Sequence, residues 1–208
     1  MKVELLNITP DVERVIEKAG RTSYQSFEKE GEGTEKSFIK MLLKKGHHSV
    51  LEHGWATFRI KGVSRALTHQ LVRHRIASFT QKSQRYVDES NFSWIIPPSI
   101  SENPSALKIY EEFMQTARET YRKLKEAGIK SQDARYVLPN ATETEIVVTA
   151  NMREWRHIIQ LRGDPSSQWE IRKLAIEILK ILKKHSPTIF CDMEIDEREE
   201  RVIIKPVE

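Results

Sequence analysis

The sequence holds a single cysteine, Cys191, so no intramolecular disulfide can form and a reducing, cytoplasmic setting is expected. Aromatic residues make up only 8% of its 208 residues. Few stacking platforms are therefore on offer for single-stranded nucleic acid, and no nucleic-acid partner is expected. No apolar run approaches the roughly 20 residues that span a bilayer, so no membrane association is expected. The opening MKVELLNITP carries Glu4 early, has no long apolar core and does not read as a signal peptide. No pair of histidines has the HExxH spacing. The most informative absence is one of acid. Residues 59–85 contain Arg59, Lys61, Arg65, Arg73, Arg75, Lys82 and Arg85 but not one Asp or Glu, in a chain whose net charge is only +4. A stretch with no local counter-charge is suited to meeting an external anion.

The acids are concentrated elsewhere. Residues 192–208 form an acidic tail, which leaves a basic body before it. The body alternates between helical and strand-like patterns without a regular βαβ repeat, which predicts an α+β fold: a mixed, antiparallel central sheet flanked by helices, in a single domain over residues 1–208. Residues 2–8 read as a strand. Asp11 is placed to cap a helix that Gly20 ends, and residues 34–45 form a second helix that Gly46 stops. Ala56, Phe58 and Ile60 alternate with polar neighbours as in a half-buried strand. Ser64 is placed to cap a helix reaching about Val72, and residues 83–87 read as extended. Asn103-Pro104 opens a long helix to Ala127, with Gly128 as its stop. Residues 142–148 alternate as a strand, Asn151 caps a helix through Leu161, and Asp164-Pro165 opens the last long helix. The tail reads as an edge strand or a frayed end.

Chemistry-bearing residues gather in two places. At the centre of the basic stretch stand Arg73-His74-Arg75, followed by Ser83, Gln84 and Arg85; guanidinium groups grip phosphate in a two-pronged geometry. The second place is the helix after Asn151, where Arg153 and His157 share a face at i, i+4. Five of the seven histidines lie between residues 47 and 74, yet without a partner cysteine or ligand spacing no metal site is expected. Ser78 and Ser83 lack a visible base and oxyanion hole, so hydrogen bonding to phosphate is the better reading of Ser83. On these residues alone, a nucleic-acid-binding module and a histidine-rich metal hydrolase remain alternatives to a nucleotide enzyme.

Arg73-His74-Arg75, seven further residues and then Ser83, all within RHRIASFTQKSQRY, resemble the signature of flavin-dependent thymidylate synthases. GHHSVLEH, DARYVLP, Asn151-Met152-Arg153 and QLRGDPSSQWEI extend the resemblance over residues 46–170. It implies reductive methylation of dUMP to dTMP, with methylene-tetrahydrofolate as carbon donor and FAD, reduced by NADPH, as hydride source. It also implies a homotetramer whose active sites are shared between subunits. For FAD it points to Ser49, Arg73, His74, Arg75, Gln81, Asn151, Met152, Arg153 and His157. For dUMP it points to Gln70, Leu71, Val72, Arg73, Gln81, Lys82, Ser83, Gln84, Arg85, Arg135 and Arg162, and it makes Arg162 the catalytic residue that polarises the uracil ring. Gln81 stands where many members of the family carry Glu.

Overall fold

The computed structural model describes residues 1–207; Glu208, the last acid of the tail, lies outside the described residues. The fold is mixed helix and antiparallel sheet, about 48% helix and 20% strand, the α+β class that the sequence pattern predicts. In chain order the elements are β1 (Lys2–Ile8), α1 (Val12–Thr22), α2 (Thr34–Lys44), β2 (Trp55–Ser64), α3 (Arg65–Leu71), β3 (Ala77–Gln81), α4 (Pro98–Ser101) and α5 (Pro104–Glu126). There follow α6 (Ser131–Ala134), β4 (Glu143–Asn151), α7 (Met152–Arg162), α8 (Trp169–His185), β5 (Met193–Asp196) and β6 (Arg201–Ile204). Short 3-10 turns occupy Phe27–Lys29, His48–His53 and Arg135–Val137. One sheet has the order β1-β2-β4-β3, and β5 and β6 form an antiparallel hairpin that pairs Met193 with Ile204 and Asp196 with Arg201. Among the described residues no helix is long and apolar enough to cross a membrane.

Contacts group the chain into two compact units. The first comprises Met1–Lys2, Ile60–Gln70 and Thr80–Ile146. Its α5 begins as the sequence predicts: the Asn103 side chain accepts the Ala106 N–H at 3.1 Å with Pro104 at the first helical position. Phe92, Met114 and Ala117 make a small core beneath this helix. The Ser64 hydroxyl accepts the Leu67 N–H at 3.0 Å and so caps α3. Residues 83–87 are a turn and not the extended segment expected. The Val87 N–H bonds the Ser83 carbonyl at 2.9 Å, and the Ser83 hydroxyl accepts the Arg85 N–H at 3.3 Å. A serine hydroxyl that bonds the backbone two residues on offers the chain a turn in place of a ladder rung.

The second unit comprises Val3–Arg59, Leu71–Phe79 and the chain from Val147 onward. Here α1 runs past Gly20, which is not its stop. A Cβ on Gly20 would lie 2.5 Å from the Phe38 ring, so the missing side chain serves the packing of α1 against α2. Asp11 adopts a left-handed backbone (φ 47°) and makes no side-chain cap bond. The last long helix also starts later than Asp164-Pro165 suggests. The Asp164 carboxylate closes its own turn onto the Ser166 N–H at 2.9 Å, and Gln168 caps α8 by accepting the Glu170 N–H at 3.0 Å. The α8 stripe of Ile171, Leu174, Ala175, Ile178 and Leu182 is buried. The tail is neither a lone edge strand nor a frayed end; it folds back as β5 and β6, and the Val202 N–H bonds the Gly163 carbonyl at 2.9 Å.

Candidate active site

In the second unit the chain leaves α3 in a turn, with the His74 N–H bonded to the Leu71 carbonyl at 3.2 Å. This turn sorts the basic triplet: Arg73 and Arg75 are exposed, whereas His74 is only 4% exposed. His74 faces α7, which is held in place at its start. The Asn151 side chain caps it by accepting the Glu154 N–H at 2.8 Å, and the buried Trp155 donates its indole N–H to the Ala56 carbonyl at 3.1 Å while meeting Phe58 edge-on. Three α7 side chains reach His74. Arg162 donates Nε–H to His74 Nε2 at 3.0 Å, Glu154 Oε1 lies 3.4 Å from His74 Nδ1, and the His157 ring stands edge-on at 5.6 Å.

Burial, then the charges of Arg162 and His157, lower the His74 pKa to about 4. The imidazole is therefore neutral at pH 7. Since Nε2 accepts from Arg162, its one proton sits on Nδ1, facing Glu154. Burial raises the Glu154 carboxyl above its ordinary value, and burial followed by the charge of Arg73 lowers Arg162. The unfolded chain protonates this histidine near its ordinary value of 6.5, whereas the folded chain resists until about 4. Stability from the neutral ring is thus present above pH 6.5 and is lost as pH falls through 4, a change of about 3 kcal/mol. Glu154, with its raised value, contributes with the opposite sign. Urea titrations at pH 7 and pH 4.5 should show this loss, and a His74→Gln variant should show a smaller one.

Donor atoms of His74, Glu154 and His157 lie within 4.8 Å of one another, close enough to reach one ion. His74 Nε2 already accepts from Arg162, however, and Nδ1 faces the Glu154 carboxylate at 3.4 Å. The remaining residues expected here divide by burial. Arg153 is exposed and pairs with Glu52 at 2.6 Å; Ser49 is exposed on the 3-10 turn His48–His53; Val72 is exposed. Leu71 and Met152 are fully buried. What the cluster offers is cationic groups beside a neutral ring, an arrangement that binds an anion and hydrogen-bonds a heterocycle.

The first unit holds the other expected residues. Gln81 donates its side-chain N–H groups to the hydroxyls of Thr68 (2.9 Å) and Thr144 (3.3 Å). Lys82 meets the buried carboxylate of Glu89 at 2.9 Å, and Lys61 meets Glu145 at 3.9 Å. The basic stretch thus finds some of its counter-charge in acids from outside it, which its local composition did not foretell. Arg85 and Arg135 are linked through Gln132: Arg85 Nε–H donates to its side-chain oxygen at 3.3 Å and Arg135 Nε–H to its carbonyl at 3.0 Å. Ser83 and Gln70 are half-buried; Gln84 is buried, its Nε2 without a hydrogen-bond partner among the described residues. Arg65 was not expected at a site. Burial, then the charge of Arg135, lowers its pKa, which brings a third guanidinium to this group. Glu154 was likewise missed, although Asn151-x-x-Glu154 is a capping-box spacing that marks a helix start.

Comparison with known proteins gives concordant results. Residues 4–188 match the family model described as thymidylate synthase complementing protein. The flavin-dependent thymidylate synthase of Geobacter sulfurreducens is 45% identical over 200 residues, covering 92% of this chain and 86% of that protein. That of Clostridium tetani is 41% identical over 212 residues, covering 91% and 85%. A crystal structure of thymidylate synthase X from Helicobacter pylori with FAD and dUMP superposes with a TM-score of 0.75 at 29% identity, covering 91% of this chain and 97% of that one.

Proposed function

Because this chain belongs to the flavin-dependent thymidylate synthases, we propose that it converts dUMP to dTMP, taking the one-carbon unit from methylene-tetrahydrofolate and releasing tetrahydrofolate. It is in this reading a methyltransferase of the cytoplasm that uses FAD and NADPH and works as a homotetramer with shared sites. When bound, FAD supplies the redox chemistry, accepting a hydride from NADPH and giving one up to complete the methyl group. The residues present fit such a group: the exposed Arg73 and Arg75 match a diphosphate, and the neutral His74 with its neighbour His157 matches ring contacts. We assign to FAD also Ser49, Gln81, Asn151, Met152 and Arg153. For the nucleotide we assign Gln70, Leu71, Val72, Arg73, Gln81, Lys82, Ser83, Gln84, Arg85, Arg135 and Arg162.

A neutral uracil is a poor carbon nucleophile. A guanidinium held against its carbonyl edge stabilises the negative charge that builds on the ring as C5 attacks the one-carbon unit. Arg162 takes that role; burial has already stripped part of its hydration, and the nearby Arg73 makes an anion more welcome. The main support for this reading is the meeting of Arg162 with His74 from segments 88 residues apart. The purified full-length protein should be yellow, its absorbance should bleach when NADPH is added without oxygen, and addition of dUMP and methylene-tetrahydrofolate should restore the colour and yield dTMP. A colourless protein that takes up no added FAD would refute the proposal.

A further inference from the structure

We propose that Glu154 is a positioning residue that aims the Arg162 guanidinium by fixing which nitrogen of His74 carries the proton. The proposal rests on the reading of Arg162 given above, but its geometry stands by itself. Glu154 is 7% exposed, and its main-chain N–H is pinned by the Asn151 cap. Its carboxylate is therefore held in the first turn of α7, facing His74 Nδ1 at 3.4 Å. Arg162 lies eight residues further along the same helix, about 12 Å in rise, too far for Glu154 to orient it directly. His74 bridges that distance, since its other nitrogen accepts Arg162 Nε–H at 3.0 Å.

A neutral imidazole has one donor and one acceptor, and its two tautomers exchange those roles. With the proton on Nδ1, the ring donates towards the carboxylate and accepts from Arg162. With the proton on Nε2, two N–H groups would confront each other where the 3.0 Å contact now is, and the guanidinium would have to turn away. A carboxylate can only accept, so it selects the first tautomer. Holding Nε fixes the plane of the guanidinium, and plane and direction are what distinguish arginine from a point charge. The charged and titratable groups that face this pair are Arg162 and His157 on the His74 side and Arg153 and His157 on the Glu154 side.

The test uses the full-length chain with 15N-labelled histidine, in parent, Glu154→Leu and Glu154→Asp forms. Leucine fills the space without accepting a proton contact, and aspartate keeps the carboxylate. The expected result is a parent His74 protonated at Nδ1 alone, a tautomer mixture or reversal in Glu154→Leu, and the parent tautomer in Glu154→Asp. With FAD bound, Glu154→Leu should lower kcat by about tenfold to a hundredfold and be largely rescued by Glu154→Asp. A parent His74 protonated at Nε2 overturns the proposal, as does a Glu154→Leu protein that loses turnover with its tautomer unchanged. If Glu154→Leu does not fold, Glu154→Gln, which removes the charge and keeps the size, takes its place, and lost turnover with an unchanged His74 tautomer again overturns the proposal. If the parent proves to make no dTMP, the function proposed above fails, while the spectra still judge the link between Glu154 and His74.

Discussion

Replacing Arg162 by alanine is expected to lower kcat for dTMP formation about 100- to 1000-fold, the usual cost of removing one preorganised donor from a developing anion. Flavin content should remain that of the parent, because the exposed Arg73 and Arg75 remain in place. Arg162 sits in the last turn of α7, half-buried, so its removal opens no core cavity. His74 should respond. Losing Arg162 removes one of the two charges that lower its pKa, and its protonation should move up from about 4. Arg162→Lys should not restore turnover, because lysine has no Nε–H to rest against His74 and no planar fork to present to the uracil edge. Steady-state kinetics with FAD-saturated protein, flavin absorbance and a histidine titration separate these effects. A lysine variant as active as the parent would remove the directional role assigned to the guanidinium.

Asp192→Ala is expected to cost about 3–5 kcal/mol of stability, which in a protein of this size lowers the melting temperature by roughly 10 °C. Arg156 is 8% exposed and Asp192 7%. Their two-pronged contact, at 2.7 and 2.6 Å, is joined by an Arg156 hydrogen bond to the Ile189 carbonyl. Removing the carboxylate leaves a buried cation with the Ile189 carbonyl but without its counter-charge, and stranding is what makes the loss large. Removing both charges should cost less. An Arg156→Met, Asp192→Leu double variant should be more stable than Asp192→Ala, since apolar side chains of similar size relieve the desolvation that the pair must overcome. Urea denaturation of the three proteins is the measurement. A single variant that melts with the parent would show that water reaches Arg156.

Much of this was legible in the residues themselves. Caps at Asn103, Ser64 and Asn151, the alternation of Phe58 and Ile60, and the α8 stripe from Ile171 to Leu182 are local signals, and local signals survive folding because each is a bond or a period within one element. Family membership was legible too, because Arg73-His74-Arg75 and Asn151-Met152-Arg153 stand in fixed order. Other features were decided only by tertiary structure. Gly20 looked like a helix stop, but the approach of Phe38 made it a packing position. Residues 83–87 looked extended, but the Ser83 hydroxyl closed a turn. The acidic tail read as an edge strand or a frayed end, yet its Asp192 is the partner of a buried arginine. The acid-free stretch promised unpaired cations, but Glu89 and Glu145 came from elsewhere in the chain to meet two of them. Sequence by itself determined which chemical groups this protein owns and which helices and strands carry them. Only the folded chain decided which groups meet, and therefore that His74 is a buried neutral acceptor and not a third cation, because desolvation and the field of Arg162 exist only once segments 88 residues apart are packed together.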